Sequence, residues 1–195
     1  MTDRNTAGTQ TPRSETVTLG LLAGGRATRL QGRDKAWMRF DGLPLVERTL
    51  TALHHDFAAR WISANRYADR YEPLGLRAVP DRIPGFPGPL AGIDALLAAC
   101  ATPWLLTVPV DLRSLPTGLV AKLIAGENGA VAHDATGLQP LVAVWPVARA
   151  RIAVAEAFAR GDAAVHKVVA ALDLPVVHFD GADFGNLNTP EDFFE

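Results

Sequence analysis

Two cations and a pair of glycines share one short stretch of this chain. The stretch Leu22–Lys35, LAGGRATRLQGRDK, directly follows the apolar run Val17-Thr18-Leu19-Gly20-Leu21 and holds Gly24 and Gly25, with Arg29 and Lys35 in the same loop. Glycines at the end of a strand let backbone N–H groups approach an anion closely, because no Cβ stands in the way. Arginine and lysine then add charge-assisted bonds to phosphate oxygen, roughly twice as strong as neutral ones. The chemistry indicated is the holding of a nucleotide phosphate.

Two common phosphate loops are excluded. A Walker A loop ends in Gly-Lys-Ser/Thr, whereas Lys35 lies between Asp34 and Ala36. The dinucleotide fingerprint needs glycines at its first, third and sixth places, and Gly24-Gly25-Arg26-Ala27-Thr28-Arg29 has them only at the first two. The alternative is a strand-ending turn with a solvated charged loop, and the crowding of Arg29, Gly32, Asp34 and Lys35 favours the phosphate site.

The elements that must carry this loop read as alternating strands and helices. Behind Pro44, Val46, Leu50, Leu53 and Phe57 make one helical stripe, and Arg60 to Ala64 reads as a strand ending at Asn65. Arg77 to Val79 is a third strand, ending at Pro80-Asp81, so the opening pattern is β, α, β, α, β. After the Ile83–Pro89 loop, Ile93, Leu96, Leu97 and Cys100 mark a helix. Trp104 to Val108 then has the unbroken apolar character of a strand covered on both faces, and runs into Pro109-Val110-Asp111.

Downstream, the pattern gives a helix at Leu119–Ile124, strands at Ala130–His133 and Leu138–Trp145, and helices at Ala148–Arg160 and Ala163–Leu172. A short strand near Val176 follows, and Thr189 can cap a last turn that has Pro190 at its first position. The fold class is therefore α/β, Rossmann-like, with a mostly parallel doubly wound sheet. Residues 1–15 are expected to be a disordered N-terminal tail and residues 16–195 a single domain.

In such sheets ligands gather beyond the carboxyl ends of the strands, where Gly24, Gly25, Asn65, Asp81 and Asp111 all fall. Asp111, after a buried strand, suits Mg²⁺, which takes one or two carboxylates together with substrate phosphate oxygens. Its bland reading is a turn or cap residue. Asn65 and Asp81 can form turns, or read the donor and acceptor pattern of a base.

Other chemistries find less support. A net charge of −2 gives no general pull toward nucleic acid or anionic membrane. Cys100 has no partner for a disulfide, the five histidines show no zinc-site spacing, and no Gly-x-Ser-x-Gly elbow is present. Trp37, Trp61, Trp104 and Trp145 read as core or edge residues. No segment reads as a secretory signal or a membrane span, so a soluble cytoplasmic protein is expected.

The loop LAGGRATRLQGRDK, with Phe40-Asp41-Gly42-Leu43-Pro44-Leu45 behind it, resembles the molybdenum cofactor guanylyltransferases. The likeness continues through Ser63-Ala64-Asn65, Val79-Pro80-Asp81, Gly88-Pro89-Leu90-Ala91-Gly92, Pro109-Val110-Asp111, Gln139-Pro140-Leu141 and Asn186-Leu187-Asn188-Thr189-Pro190. It departs where the family usually has Arg-Met-Gly-Gly before its Asp-Lys pair. Here Arg29-Leu30-Gln31-Gly32 is followed by Arg33. Leu30 conserves the volume of Met, and Gln31 bears on how the loop closes.

The resemblance implies a fold of the nucleotide-diphospho-sugar transferase type and a transfer of GMP from GTP to the phosphate of molybdenum-bearing molybdopterin. Pyrophosphate would be released and the guanine dinucleotide cofactor formed. It implies that Leu22, Ala23, Gly24, Gly25 and Lys35 bind GTP, that Asn65 and Asp81 contact the nucleotide, and that Asp111 binds Mg²⁺ and the phosphates. Arg29, Lys35 and Asp111 would be catalytic, and Gln139, Pro140, Asn186 and Asn188 would lie toward the pterin. The expected partners are these small molecules and, transiently, proteins that deliver molybdopterin or receive the product. Rival readings are a cytidylyltransferase on the same pterin, a sugar-phosphate nucleotidyltransferase, and a carrier without chemistry. In the cytidine branch the loop usually begins Leu-Ala-Ala-Gly, and here Leu22-Ala23-Gly24-Gly25 matches the guanine branch.

Overall fold

The computed structural model describes residues 12–23, 34–83 and 88–193. Gly24, Gly25, Arg29 and the rest of 24–33 lie outside the described residues, as does most of the expected tail. The end of that tail joins Thr16 in a single 3-10 turn, Ser14–Thr16, leading into the first strand.

One seven-stranded sheet organises the chain. It comprises β1 (Val17–Leu22), β4 (Ala59–Ser63), β5 (Arg77–Val79), β6 (Trp104–Pro109), β7 (Ala130–Asp134), β8 (Gly137–Pro146) and β9 (Val176–His178), in the spatial order β5-β4-β1-β6-β8-β7-β9. Neighbours pair in parallel except on the two sides of β8, which runs antiparallel to β6 and β7. Reversing one strand leaves the carboxyl ends of the other six on one edge. It also brings the β7–β8 hairpin and the start of β8 to that edge.

Helices cover both faces. On one face lie α1 (Leu45–Ala52) and α3 (Leu119–Leu123), and on the other α2 (Pro89–Ala99), α4 (Val147–Ala159) and α5 (Val165–Ala171). The central strands alternate between these layers: Val17, Leu19, Leu21, Leu106 and Val108 face the first, and Leu22 and Leu105 the second. That two-sided burial explains the unbroken apolar runs in the sequence. Truncating a fully buried leucine here to alanine costs about 2–5 kcal/mol. Buried hydroxyls are matched: Thr18 Oγ1 lies 2.7 Å from Thr102 Oγ1, and Thr107 Oγ1 accepts from Trp145 Nε1 and donates to the Leu141 carbonyl, both at 2.8 Å.

Gly92 sits where α2 crosses the ends of β1 and β4. A Cβ there would stand 2.6 Å from Ser63 Oγ and 3.4 Å from Leu22 Cδ2, so only glycine allows the first turn of α2 so close to the sheet edge.

Three expectations are corrected. The helix predicted between the second and third strands is replaced by two 3-10 turns, Ala68–Arg70 and Glu72–Leu74. Tyr67 in the left-handed region, Pro73 and Gly75 at φ +70° break the segment into single turns. Helix α1 stops at Ala52, and Phe57 packs against the core from the irregular link before β4, because Ala58 N–H already donates to the Val17 carbonyl as β4 begins. At the last turn, Pro190 opens a 3-10 turn as expected, but the Thr189 hydroxyl donates to Asp192 Oδ2 at 3.2 Å. The cap is made in reverse, by the Asp192 carboxylate accepting from the Thr189 N–H at 2.9 Å.

A small hairpin went unread in the sequence: β2 (Arg39–Phe40) pairs with β3 (Leu43–Pro44). Its turn residues Asp41 and Gly42 have φ of 51° and 77°, as a two-residue hairpin turn requires.

Candidate active site

Strand β1 delivers Leu22 and Ala23 to the carboxyl edge beside the extension of β6, where Val110 N–H donates to the Leu22 carbonyl at 3.2 Å. The next residue is Asp111. Its Oδ2 accepts from Lys35 Nζ at 2.5 Å, and Lys35 also donates to Asn188 Oδ1 at 2.9 Å. Three segments far apart in sequence thus meet at one ammonium group. Both members of the ion pair have side chains 20% exposed, so the cluster is sheltered yet open to a ligand.

Asp111 is held through its backbone as well. From α1, Thr49 Oγ1 donates to the Val110 carbonyl at 3.3 Å, Arg48 Nη1 donates to the Leu112 carbonyl at 2.9 Å, and Arg48 Nη2 donates to the Arg113 carbonyl. On the other side a C-terminal strap, residues 184–188, runs along 111–114. Ser114 N–H donates to the Phe184 carbonyl at 3.0 Å, Leu112 and Asn186 form an isolated antiparallel bridge, and Leu187 N–H donates to the Asp111 carbonyl at 2.8 Å. Such bracing removes conformational freedom from a carboxylate before any ligand arrives.

Lys35 opens a 3-10 turn, Lys35–Trp37, whose N-cap is Asp34. On the far side of β1, Asn65 and Asp81 lie at the ends of β4 and β5 and bind each other reciprocally. Asn65 Nδ2 donates to Asp81 Oδ2, and Asp81 N–H donates to Asn65 Oδ1, both at 2.8 Å.

The hairpin at the start of β8 centres on Asp134, which is 3% exposed. Its Oδ1 accepts from Thr136 N–H at 2.9 Å, Thr136 Oγ1 at 2.8 Å and Gln139 Nε2 at 3.0 Å, while Oδ2 accepts from Phe184 N–H at 2.8 Å. Burial alone would raise its pKa, but the bonds from Phe184, Gln139 and Thr136 outweigh it and hold the carboxyl at about 2. At the other end of the strap, Asp192 accepts from the N–H groups of Asn188 and Thr189, both at 2.9 Å, and pairs with Arg113 at 2.7 Å.

The structure therefore brings Lys35, Asp111 and Asn188 together, with Leu22 and Ala23 on the adjoining strand end. Asn65 and Asp81 form a second group on the same edge. Gln139 is tied to Asp134 and Thr136, Pro140 follows it in β8, and Asn186 lies in the strap. Sequence reading missed Arg48, Asp134 and Asp192, which brace these groups without facing them. Two had local signals: Asp134-Ala135-Thr136 is an Asx-turn sequence, and Thr189-Pro190-Glu191-Asp192 has capping-box spacing.

Similarity to known proteins places the chain in a family. Residues 20–177 match the family model of the MobA-like NTP transferase domain. A molybdenum cofactor guanylyltransferase from Cupriavidus taiwanensis is 37% identical over 184 residues, covering 89% of this chain and 92% of the relative. Among solved structures, molybdopterin-guanine dinucleotide biosynthesis protein A from Archaeoglobus fulgidus has a TM-score of 0.65 at 20% identity, covering 90% of this chain and 94% of its own. The 2-C-methyl-D-erythritol 4-phosphate cytidylyltransferase from Thermus thermophilus has the same TM-score at 21% identity, over 89% of this chain and 94% of its own. These two structural likenesses establish an α/β nucleotidyltransferase fold. Taken with the family model and the near full-length identity, they show that this chain belongs to the MobA-like NTP transferases, in the molybdenum cofactor guanylyltransferase family.

Proposed function

We propose that the protein transfers GMP from GTP to the phosphate of molybdenum-bearing molybdopterin, releasing pyrophosphate and forming the guanine dinucleotide cofactor. The observation that carries this reading is the meeting of Lys35, Asp111 and Asn188 at the carboxyl edge beside β1. A cation, a carboxylate and an amide there suit a bound triphosphate, and they occur in a chain related to guanylyltransferases over nearly its whole length.

In the reaction a phosphate oxygen of the pterin attacks the α-phosphorus of GTP. A new P–O bond forms, and the bond from the α-phosphorus to the α,β-bridging oxygen breaks, its electron pair leaving with pyrophosphate. The protein's task is alignment and neutralisation of charge, with no covalent protein intermediate. Lys35 turns from Asp111 to the β- and γ-phosphates, Arg29 joins it, and backbone N–H groups of the loop at Ala23, Gly24 and Gly25, just beyond the strand end at Leu22, hold the phosphate oxygens. Asn65 and Asp81 contact the nucleotide.

Asp111 is a braced, partly exposed carboxylate with one oxygen on Lys35, a donor set that fits Mg²⁺ shared with phosphate rather than caged by protein. When bound there, the ion withdraws charge from the α-phosphate. Gln139, Pro140, Asn186 and Asn188 face the pterin. Because the Gln139 amide nitrogen is already spent on Asp134 and Thr136, its carbonyl oxygen is what it offers an incoming N–H.

Among the described residues no helix is long and apolar enough to cross a membrane. The protein works in the cytoplasm, meeting molybdopterin-delivering proteins and molybdoenzymes transiently. Pyrophosphate release should be followed with molybdopterin, Mg²⁺ and either GTP or CTP. Release that requires the pterin and is faster with GTP is expected. Preference for CTP would move the protein to the cytidine branch, and nucleotide binding without release would make it a carrier.

A further inference from the structure

Lys35 is aimed by its chain neighbour. Asp34, in extended conformation, uses both carboxylate oxygens: Oδ1 accepts from Ala36 N–H at 3.1 Å and shapes the 35–37 turn, and Oδ2 accepts from the Tyr71 hydroxyl at 2.7 Å. Tyr71 belongs to a different segment, between β4 and β5, and is 0% exposed. Its ring lies 5.6 Å from that of Trp37, the last residue of the same turn, over which the Arg70 guanidinium sits at 4.2 Å.

Packing alone would be met by phenylalanine. A hydroxyl buried here needs a partner, and its partner is the carboxylate that caps the turn bearing Lys35. Burial, followed by the bond to Asp34 and its negative charge, raises the phenol well above its ordinary pKa, so the group remains a proton donor at any working pH.

We infer that Tyr71 is a positioning residue for the triphosphate site: through Asp34 it ties the 35–37 turn to the body of the domain and so sets where Lys35 delivers its charge. This rests on the reading of Lys35 as a phosphate ligand given above. Asp34 gives the turn its shape and Tyr71 gives it its place. Neither group touches substrate.

The test is a cycle of GTP affinities, measured calorimetrically with Mg²⁺ and without pterin on the full chain. The proteins are wild type, Tyr71→Phe, Lys35→Ala and the double variant. Tyr71→Phe should weaken GTP binding by about tenfold, the scale of one lost bond to a charged group. In the Lys35→Ala background the same change should have no further effect, because the group it positions is gone. A purely structural tyrosine would give losses that multiply, and that result, or wild-type affinity in Tyr71→Phe, overturns the inference. Should Tyr71→Phe fail to fold, Asp34→Ser replaces it in the cycle, keeping the cap on Ala36 but not the reach to Tyr71. If wild type itself binds no GTP, the functional reading falls and this inference with it.

Discussion

On the β4–β5 side of the active edge, Asn65 and Asp81 satisfy each other in the open, whereas across the sheet Asp134 is buried with four hydrogen bonds converging on it. Water competes for the first pair at every moment, so it adds little to stability and can be opened by a ligand at small cost. The second group has been withdrawn from water, and removing any member strands the others. Polar atoms on the first side are available for binding. Those on the second fix where the strap, and with it Asn188, must lie.

The difference predicts how variants should divide. Asp111→Ala and Lys35→Ala, between the two sides, should each lower turnover by about 10²-fold or more while leaving the urea midpoint nearly unchanged, since a partly exposed pair contributes about 1 kcal/mol at most. Near-normal turnover in both would remove the assignment of the site.

Next in size, Asp134→Asn should cost about 1–3 kcal/mol in urea unfolding, because an amide cannot accept from Phe184 N–H and Gln139 on its two ends at once. It should raise the KM for pterin more than that for GTP. An unaltered unfolding curve would erase the contrast between the sides. The same variant bears on acid stability. With the folded pKa of Asp134 held below its ordinary value at about 2, its stabilisation is complete above about pH 4 and is lost as pH falls through 2. The wild-type midpoint should therefore drop across that window, and the drop should shrink in Asp134→Asn.

Smaller again, Asp81→Ala should raise the KM for GTP by about tenfold with stability within about 0.5 kcal/mol of wild type, as fits a partly exposed residue kept for binding. A large loss of stability would show that the open pair is structural after all. Gln139→Ala should change the pterin KM about twofold to fivefold and sharpen the division between substrates.

Much of the fold was legible because burial on both faces writes itself into strands such as Trp104–Pro109 as continuous apolar sequence. The edge was legible for a topological reason: strand ends that carry Asn65, Asp81 and Asp111 must converge in a parallel sheet. The bracing was not. Asp134 finds Phe184 fifty residues away and Arg113 finds Asp192 at a separation of 79, and no periodicity marks such pairs. The β2–β3 hairpin escaped because its strands are two residues each, too short for alternation, although Asp41-Gly42 signals the turn. The helix expected before β5 was an extrapolation of the alternating pattern, overruled by Pro73 and Gly75.

Lys35 reaches Asn188 across 153 residues of chain. During synthesis β1, α1 and the parallel strands emerge first and can pair with one another, while residues 184–188 are still to be made. An unfinished chain on the ribosome can thus own Lys35 and Asp111 yet lack Asn188, the second acceptor on Lys35. The full set of bonds on the Lys35 ammonium therefore closes only after the strap has been made.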